Sequence, residues 1–471
     1  MTSTRTDLTA PGRILLISCY ELGHQPLGVA WPAAFLRRAG FDPAVLDLST
    51  ERLDQQRVRE AAFVGICVPM HTALVMGTHA AQRVREVHPD ATVCFYGLYA
   101  GLNATYLLDT TADFVISGEY EQPLVSLVQA LQAGTSVDLP GVSRYGHVAH
   151  PHLARTEFPA PHRESLGSLE TYAGVERSDG AVVTGYVEAS RGCKHHCLHC
   201  PIPPAYGGRF FAVSRDVVLQ DITEQVERQG ARHITFGDPD FLNGPTHARR
   251  VVRELHERYP HVTFDFTTKV EHILRHRELL PEMAANGCLF IISAVESLSG
   301  RVLENLNKGH TRTDIEEALR LTRDAGIALR PTFMPFTPWS TLDDYVELLR
   351  FILHEGLIHH VDPVQFAIRL LVPPGSALLG TPQFEPYRGE LDQAAFSYTW
   401  RHPDPRMDAL HERVSAIVEE AAENEEPDER TFARILREAL AVADTPHLAD
   451  AWLAAAPVSP PAPRLTEPWF C

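Results

Sequence analysis

Short apolar blocks alternate along this chain with stretches whose apolar residues recur every three or four positions. The blocks at 13–18, 44–48, 63–68, 92–96 and 114–117 are too short for helices. They lack polar alternation, so they read as strands buried on both faces. The stretches at 29–39, 73–87 and 124–131 carry the helical period, and Gly40 stops the first of them. Strand and helix in strict turn predict an α/β fold, with a doubly wound parallel sheet over residues 1–135.

Residues 136–180 carry Pro, Gly, Ser and His without a period, and they predict a connector with a small hairpin around 142–148. The alternation then restarts. Strands are expected at 182–187, 233–236, 262–267, 289–294, 328–334 and 364–370. Helices are expected at 216–229, 246–259, 270–285, 314–325 and 342–354. Six such units make a partial (β/α)6 barrel over 181–376, whose working face is the C-terminal end of its strands. Residues 377–456 are charged, with amphipathic stretches at 407–421 and 429–442, and predict a helical region capping the barrel. Residues 457–471 form a tail rich in Pro and Ala that ends in Cys471.

The formal charge of −18, from 60 acidic and 42 basic residues, argues against general nucleic-acid binding. No run has the length of a membrane span, and the first apolar block is too short for a signal-peptide core. Cys19, Cys67, Cys94 and Cys288 stand singly in apolar runs and are expected as buried free thiols. That usage suits a reducing, cytoplasmic setting.

The chemistry concentrates in Glu188-Ala-Ser-Arg-Gly-Cys-Lys-His-His-Cys-Leu-His-Cys-Pro201. Cys193, Cys197 and Cys200 have the spacing C-x3-C-x2-C on a loop leaving a strand. Three soft thiolates suit an iron–sulfur cluster with one iron open, or zinc completed by His195, His196 or His199.

This motif in this place resembles the radical S-adenosylmethionine (SAM) superfamily. The resemblance implies a [4Fe–4S] cluster on Cys193, Cys197 and Cys200, with SAM chelating the open iron. Reduction then releases a 5′-deoxyadenosyl or a 3-amino-3-carboxypropyl radical, which acts on a small-molecule substrate. It also implies an electron donor such as flavodoxin or ferredoxin. His199 stands where the family usually has an aromatic residue near the adenine. Gly237 and Asp238, after the second barrel strand, partly match the element that receives the SAM amino group. Glu296, in Ala294-Val-Glu-Ser297, resembles the Gly-x-Glu-Ser element of the B12-type subgroup and is expected at the SAM ribose or amino group. Arg369, then Arg330, are the candidates for the SAM carboxylate.

Residues 12–135 resemble the cobalamin-binding domain of that subgroup. The histidine motif of some such domains is D-x-H-x-x-G, and Glu21-Leu-Gly-His24-Gln-Pro-Leu-Gly28 does not match it. His24 is read as a loop residue. The ending Trp469-Phe-Cys471 resembles the radical SAM group with a CUAEP or CCAEP tail, which makes Cys471 a candidate chalcogen for the active site and implies a selenoprotein if a UGA codon follows. Two other readings stay open. One is a cobalamin-dependent radical SAM methyltransferase, and the other a non-catalytic zinc-binding interaction protein.

Overall fold

The computed structural model describes residues 7–177, 180–457 and 461–467. Five apolar blocks pair in parallel: β1 (Ile14–Ser18), β2 (Ala44–Asp47), β3 (Phe63–Cys67), β4 (Thr92–Tyr96) and β5 (Phe114–Ile116). Their order is β2-β1-β3-β4-β5, and β6 (Val142–Arg144) closes the sheet antiparallel to β5. Every residue of β1 and β3 is buried, because helices cover both faces. The direction of winding reverses between β1 and β3, so the C-terminal edge there is the crevice where such sheets receive ligands. Cys19, Cys67, Cys94 and Cys288 are buried free thiols, as expected.

The second half opens with a hairpin, β7 (Val175–Arg177) against β8 (Gly180–Val182). The strand expected at 182–187 is shorter, β9 (Thr184–Val187). After it come β10 (Ser190–Gly192), β11 (Phe210–Ala212), β12 (His233–Phe236), β13 (Thr263–Thr267), β14 (Cys288–Glu296) and β15 (Ala328–Phe333). A parallel sheet runs β9-β12-β13-β14-β15. One face of it, with Ile234, Phe236, Phe264, Phe266, Ile291 and Leu329, joins the main core. On the other face His233, in register with Thr184 and Thr263, contacts Thr263 and Asp265 at 2.8 Å each.

The sixth barrel strand, expected at 364–370, is a correction. Pro363–Phe366 forms a 3-10 turn, and a single bridge between Phe336 and Arg369 is all that remains of the pairing. Pro363, Pro373 and Pro374 remove the N–H donors that a ladder needs. A further difference is the hairpin β16 (Arg388–Asp392) and β17 (Ser397–Trp400), inside the region expected to be helical. The helices Pro405–Glu423 and Asp428–Val442 follow as predicted. β18 (Arg464–Leu465) pairs antiparallel with β7, and Leu465 packs with Val175 on Phe290 and Ile292. Tyr20 Oη then donates to Glu467 Oε1 at 3.0 Å, so the tail is tied to the loop after β1. Cys471 lies outside the described residues.

Buried ion pairs join the two halves. The Arg163 side chain, 1% exposed, bonds both oxygens of Asp221 at 2.6 and 2.8 Å, Gln25 at 2.7 Å and the Tyr186 carbonyl at 2.7 Å. Arg163→Ala leaves Asp221 charged and unpaired. We expect a loss of about 3–5 kcal/mol in urea denaturation, and a loss under 1 kcal/mol would remove this contact as a determinant of the domain junction.

Candidate active site

The cysteine loop leaves the C-terminal end of β9 and is shaped by a two-stranded flap. β10 pairs with β11, and Gly192 sits at φ 74° immediately before Cys193. A Cβ there would come 2.3 Å from the Arg209 carbonyl, so this residue must be glycine. The far side of the loop is pinned to the segment after β14. Leu198 N–H donates to the Leu306 carbonyl at 2.9 Å, and Asn307 Nδ2 to the His196 carbonyl at 2.9 Å. Lys194 Nζ bonds the Asn243 carbonyl at 2.7 Å, while Asn243 Nδ2 donates to Cys193 Sγ at 3.6 Å.

The three thiols are free. Burial pushes Cys193 up, and Cys200 up to about 12. A bound metal would supply the charge stabilisation that ionises thiols so placed. The spacing of the donors bears on which metal. Ligands of a single zinc ion, at about 2.3 Å each, lie about 3.8 Å apart. The only donor set whose atoms all lie within 4.8 Å of one another, among the described residues, contains no cysteine. The wider set fits a cluster of several irons. Two of the loop histidines turn elsewhere, His199 to Glu296 and His195 to Asp240.

Glu296 ends β14 at a register shift, with φ 67°, a left-handed conformation that costs a non-glycine residue of order 1–3 kcal/mol. Its Oε1 lies 3.2 Å from His199 Nε2 and 3.2 Å from Lys308 Nζ. Burial would raise the Glu296 carboxyl, but Lys308 and His199 outweigh it and hold the group well below the usual range. Burial likewise opposes the charge on Lys308, and Glu296 and the Cys197 thiol prevail to raise it. The Lys308 cation therefore sits among the cluster thiols and favours their ionised form.

Among the residues expected to contact SAM, the structure brings His199 and Glu296 to the cysteine loop. Gly237 lies under the Tyr186 ring, where a Cβ would come 2.1 Å from the Tyr186 hydroxyl. Asp238 accepts from Ala189 N–H at 2.9 Å and from the Ser190 hydroxyl, so its carboxylate braces the root of the loop. Burial raises that carboxyl to about 7, against the pull of those two bonds. Arg330 bonds Asp362 at 2.6 Å and the His359 carbonyl at 3.1 Å, at the level of Ile292 in the sheet. Arg369 bonds Asp408 at 2.8 Å and lies 3.6 Å over the Trp400 ring. Neither guanidinium is directed to the loop. His24 stacks on Tyr186 at 4.4 Å, and burial lowers it to about 3. Lys308, which sequence reasoning left unassigned within Asn305-Leu-Asn-Lys308-Gly309, is the buried cation of the site.

Residues 187–352 match the family model described as the radical SAM superfamily. The chain is 22% identical over 420 residues to an uncharacterized methyltransferase of Pyrococcus horikoshii, covering 84% of this chain and 86% of that protein. It is 24% identical over 339 residues to the anaerobic magnesium-protoporphyrin IX monomethyl ester cyclase of Rubrivivax gelatinosus, covering 66% and 58%. Among solved structures, it resembles the cobalamin-dependent SAM radical enzyme OxsB, with aqua-cobalamin and SAM bound, at TM-score 0.71 and 16% identity over 94% of this chain and 72% of that one. TsrM from Kitasatospora setae, a radical SAM methyltransferase with cobalamin and a [4Fe–4S] cluster bound, matches at TM-score 0.58 and 20% identity over 71% and 69%.

The Glu296–Lys308 pair can be tested by a double-mutant cycle. Glu296→Gln and Lys308→Met should each cost about 3–5 kcal/mol, because each leaves a buried charge unpaired. Together they should cost less than the sum by about 1–3 kcal/mol. The sign with pH follows: a carboxyl held below its ordinary 4.5 contributes stability that is fully present above that pH and is lost as pH falls toward its folded value. Lys308→Met should flatten this acid-side loss in urea denaturation.

Proposed function

We propose that this chain, an enzyme whose residues 187–352 form a radical SAM domain, holds a [4Fe–4S] cluster on Cys193, Cys197 and Cys200 and uses SAM to modify a small molecule. The observation that carries this is the free thiol trio, spread too widely for one ion, on the loop that leaves the C-terminal end of β9. A cluster held by these three cysteines would supply the electron needed to cleave the sulfonium of SAM. The chain's own part is positional. Asn243 and Lys308 steady the ligand sulfurs. Glu296, kept ionised by Lys308, is placed to accept from the SAM ribose or ammonium, and His199 lies beside it for the adenine. Asp238 acts one step back, through Ala189 and Ser190. Arg330 and Arg369, engaged with Asp362 and Asp408, are left out of this assignment. An external donor of the flavodoxin or ferredoxin kind would reduce the cluster. Among the described residues no helix is long and apolar enough to cross a membrane, which leaves the expected cytoplasmic setting unopposed.

One observation favours the cobalamin-dependent methyltransferase as a second reading. The C-terminal edge of the N-terminal sheet keeps two buried polar atoms without a hydrogen-bond partner, Tyr96 Oη and Glu121 Oε2. The side-chain amides of a corrin would suit them, and a corrin would supply methyl transfer. Against it, the Arg191 guanidinium already stands at this edge, within 4.6–5.2 Å of the Trp31, Phe158 and Tyr120 rings.

Anaerobic reconstitution with iron and sulfide, followed by SAM and dithionite, separates the readings. Wild type should take up about four irons and cleave SAM. Cys193→Ala, Cys197→Ala or Cys200→Ala should abolish both. 5′-Deoxyadenosine or methylthioadenosine as product identifies the radical cleaved, whereas S-adenosylhomocysteine with a corrin absorbance supports the second reading. Zinc in place of iron in anaerobically purified protein would sink both.

A further inference from the structure

His195, Asp240 and His272 meet beside the cysteine loop but outside the thiol set. His195 lies between Cys193 and Cys197, Asp240 follows β12, and His272 stands on the helix Val270–Arg275. We propose that these three side chains hold one divalent transition-metal ion, zinc(II) or iron(II), separate from the cluster.

Their ligand atoms all lie within 4.8 Å of one another. Asp240 Oδ2 is 2.8 Å from His272 Nδ1 and 3.4 Å from His195 Nε2. Nitrogen and oxygen ligands at about 2.0–2.1 Å from an ion stand about 3.0–3.4 Å apart, so the His195–Asp240 separation is that of neighbouring ligands and the His272–Asp240 pair would open slightly around an ion. Asp240 and His272 are 1% and 5% exposed. Yet Asp240 Oδ2, His272 Nδ1 and His195 Nε2 are buried and none of them meets the geometry of a hydrogen bond, although Asp240 stands at ion-pair distance from both rings. Three buried polar atoms left unpaired at one point cost about 1–3 kcal/mol each, a cost that an ion at their centre removes.

The surroundings fit the same role. Thr268 Oγ1 donates to Asp240 Oδ1 at 2.6 Å and turns the other oxygen inward. Glu271 Oε2 is 3.6 Å from His195 Nδ1, the ring nitrogen that must carry the proton when Nε2 ligates. Lys269 Nζ donates to that same nitrogen at 3.3 Å in the ion-free arrangement, and Glu271 Oε2, 3.7 Å from Lys269, is the acceptor to which the ammonium turns when Nδ1 takes the proton. Two imidazoles and one carboxylate leave at least one coordination position open for water or an anionic substrate oxygen. The ion would also fasten the middle of the cysteine loop to β12 and the helix behind it.

The test uses the full chain with its cluster assembled, so that the three thiols are occupied, titrated with zinc alone. About one further equivalent should bind, and X-ray absorption at the zinc edge should show only nitrogen and oxygen scatterers, at about 2.0–2.1 Å. Asp240→Ala and His272→Ala should remove that equivalent, and Glu271→Gln should weaken it about 10–100-fold. Near-UV circular dichroism matching wild type separates loss of metal from loss of fold. The chain bearing C193A, C197A and C200A should bind the same equivalent, so the result is read whether or not a cluster forms. Absence of the extra equivalent, sulfur scatterers at about 2.3 Å, or unchanged binding in His272→Ala each overturns the proposal.

Discussion

The arrangement depends on one buried cation. Arg191, two residues before the first cluster thiol, bonds Glu121 at 2.6 Å and Glu188 at 2.9 Å, with Glu119 at 3.7 Å. Three aromatic rings from the N-terminal half enclose it. Removing a guanidinium from water costs several kcal/mol, which is recovered only when charge partners and hydrogen bonds are complete. Here the partners come from both halves of the chain. The N-terminal sheet therefore sets where the cysteine loop begins, and the loop in turn closes that sheet's ligand edge. Burial raises Glu121 to about 7 and also raises Glu119 and Glu188, so three full negative charges do not face one positive charge at neutral pH.

What the sequence discloses and what it withholds divide along locality. The trio of Cys193, Cys197 and Cys200 is readable because eight consecutive residues carry all three thiols. The parallel sheets are readable because burial on both faces writes unbroken apolar runs. Lys308, Arg191 and the His195–Asp240–His272 group are not readable in the same way: their partners come from elements far away in sequence, 160 positions in the case of Arg191 and Trp31. Arg369 and Arg330 illustrate the converse. Each has the right residue type, but Asp408 and Asp362 meet them first, and no local pattern announces those meetings. The missing sixth strand is a case where the apolar pattern and the prolines disagreed. The backbone obeyed the prolines, because a ladder without donors does not form.

Glu296 shows how a strained residue is tolerated. Its left-handed backbone is held by the pairing of its flanks, since Met334 N–H bonds the Glu296 carbonyl at 2.8 Å, and by two cationic partners on its side chain. The strain fixes the direction of one carboxylate at the C-terminal end of β14, where a bound ligand would meet it.

The pairing of β18 with β7 joins positions 288 apart in sequence, through Arg464 and Glu176. Contacts of such separation form last, because the entropy of closing so long a loop is met only after everything between is in place. Leu465 enters its seat on Phe290 and Ile292 as a late step. Until then Phe290 and Ile292, on the face of β14 turned away from the main core, lack the cover that Leu465 gives them.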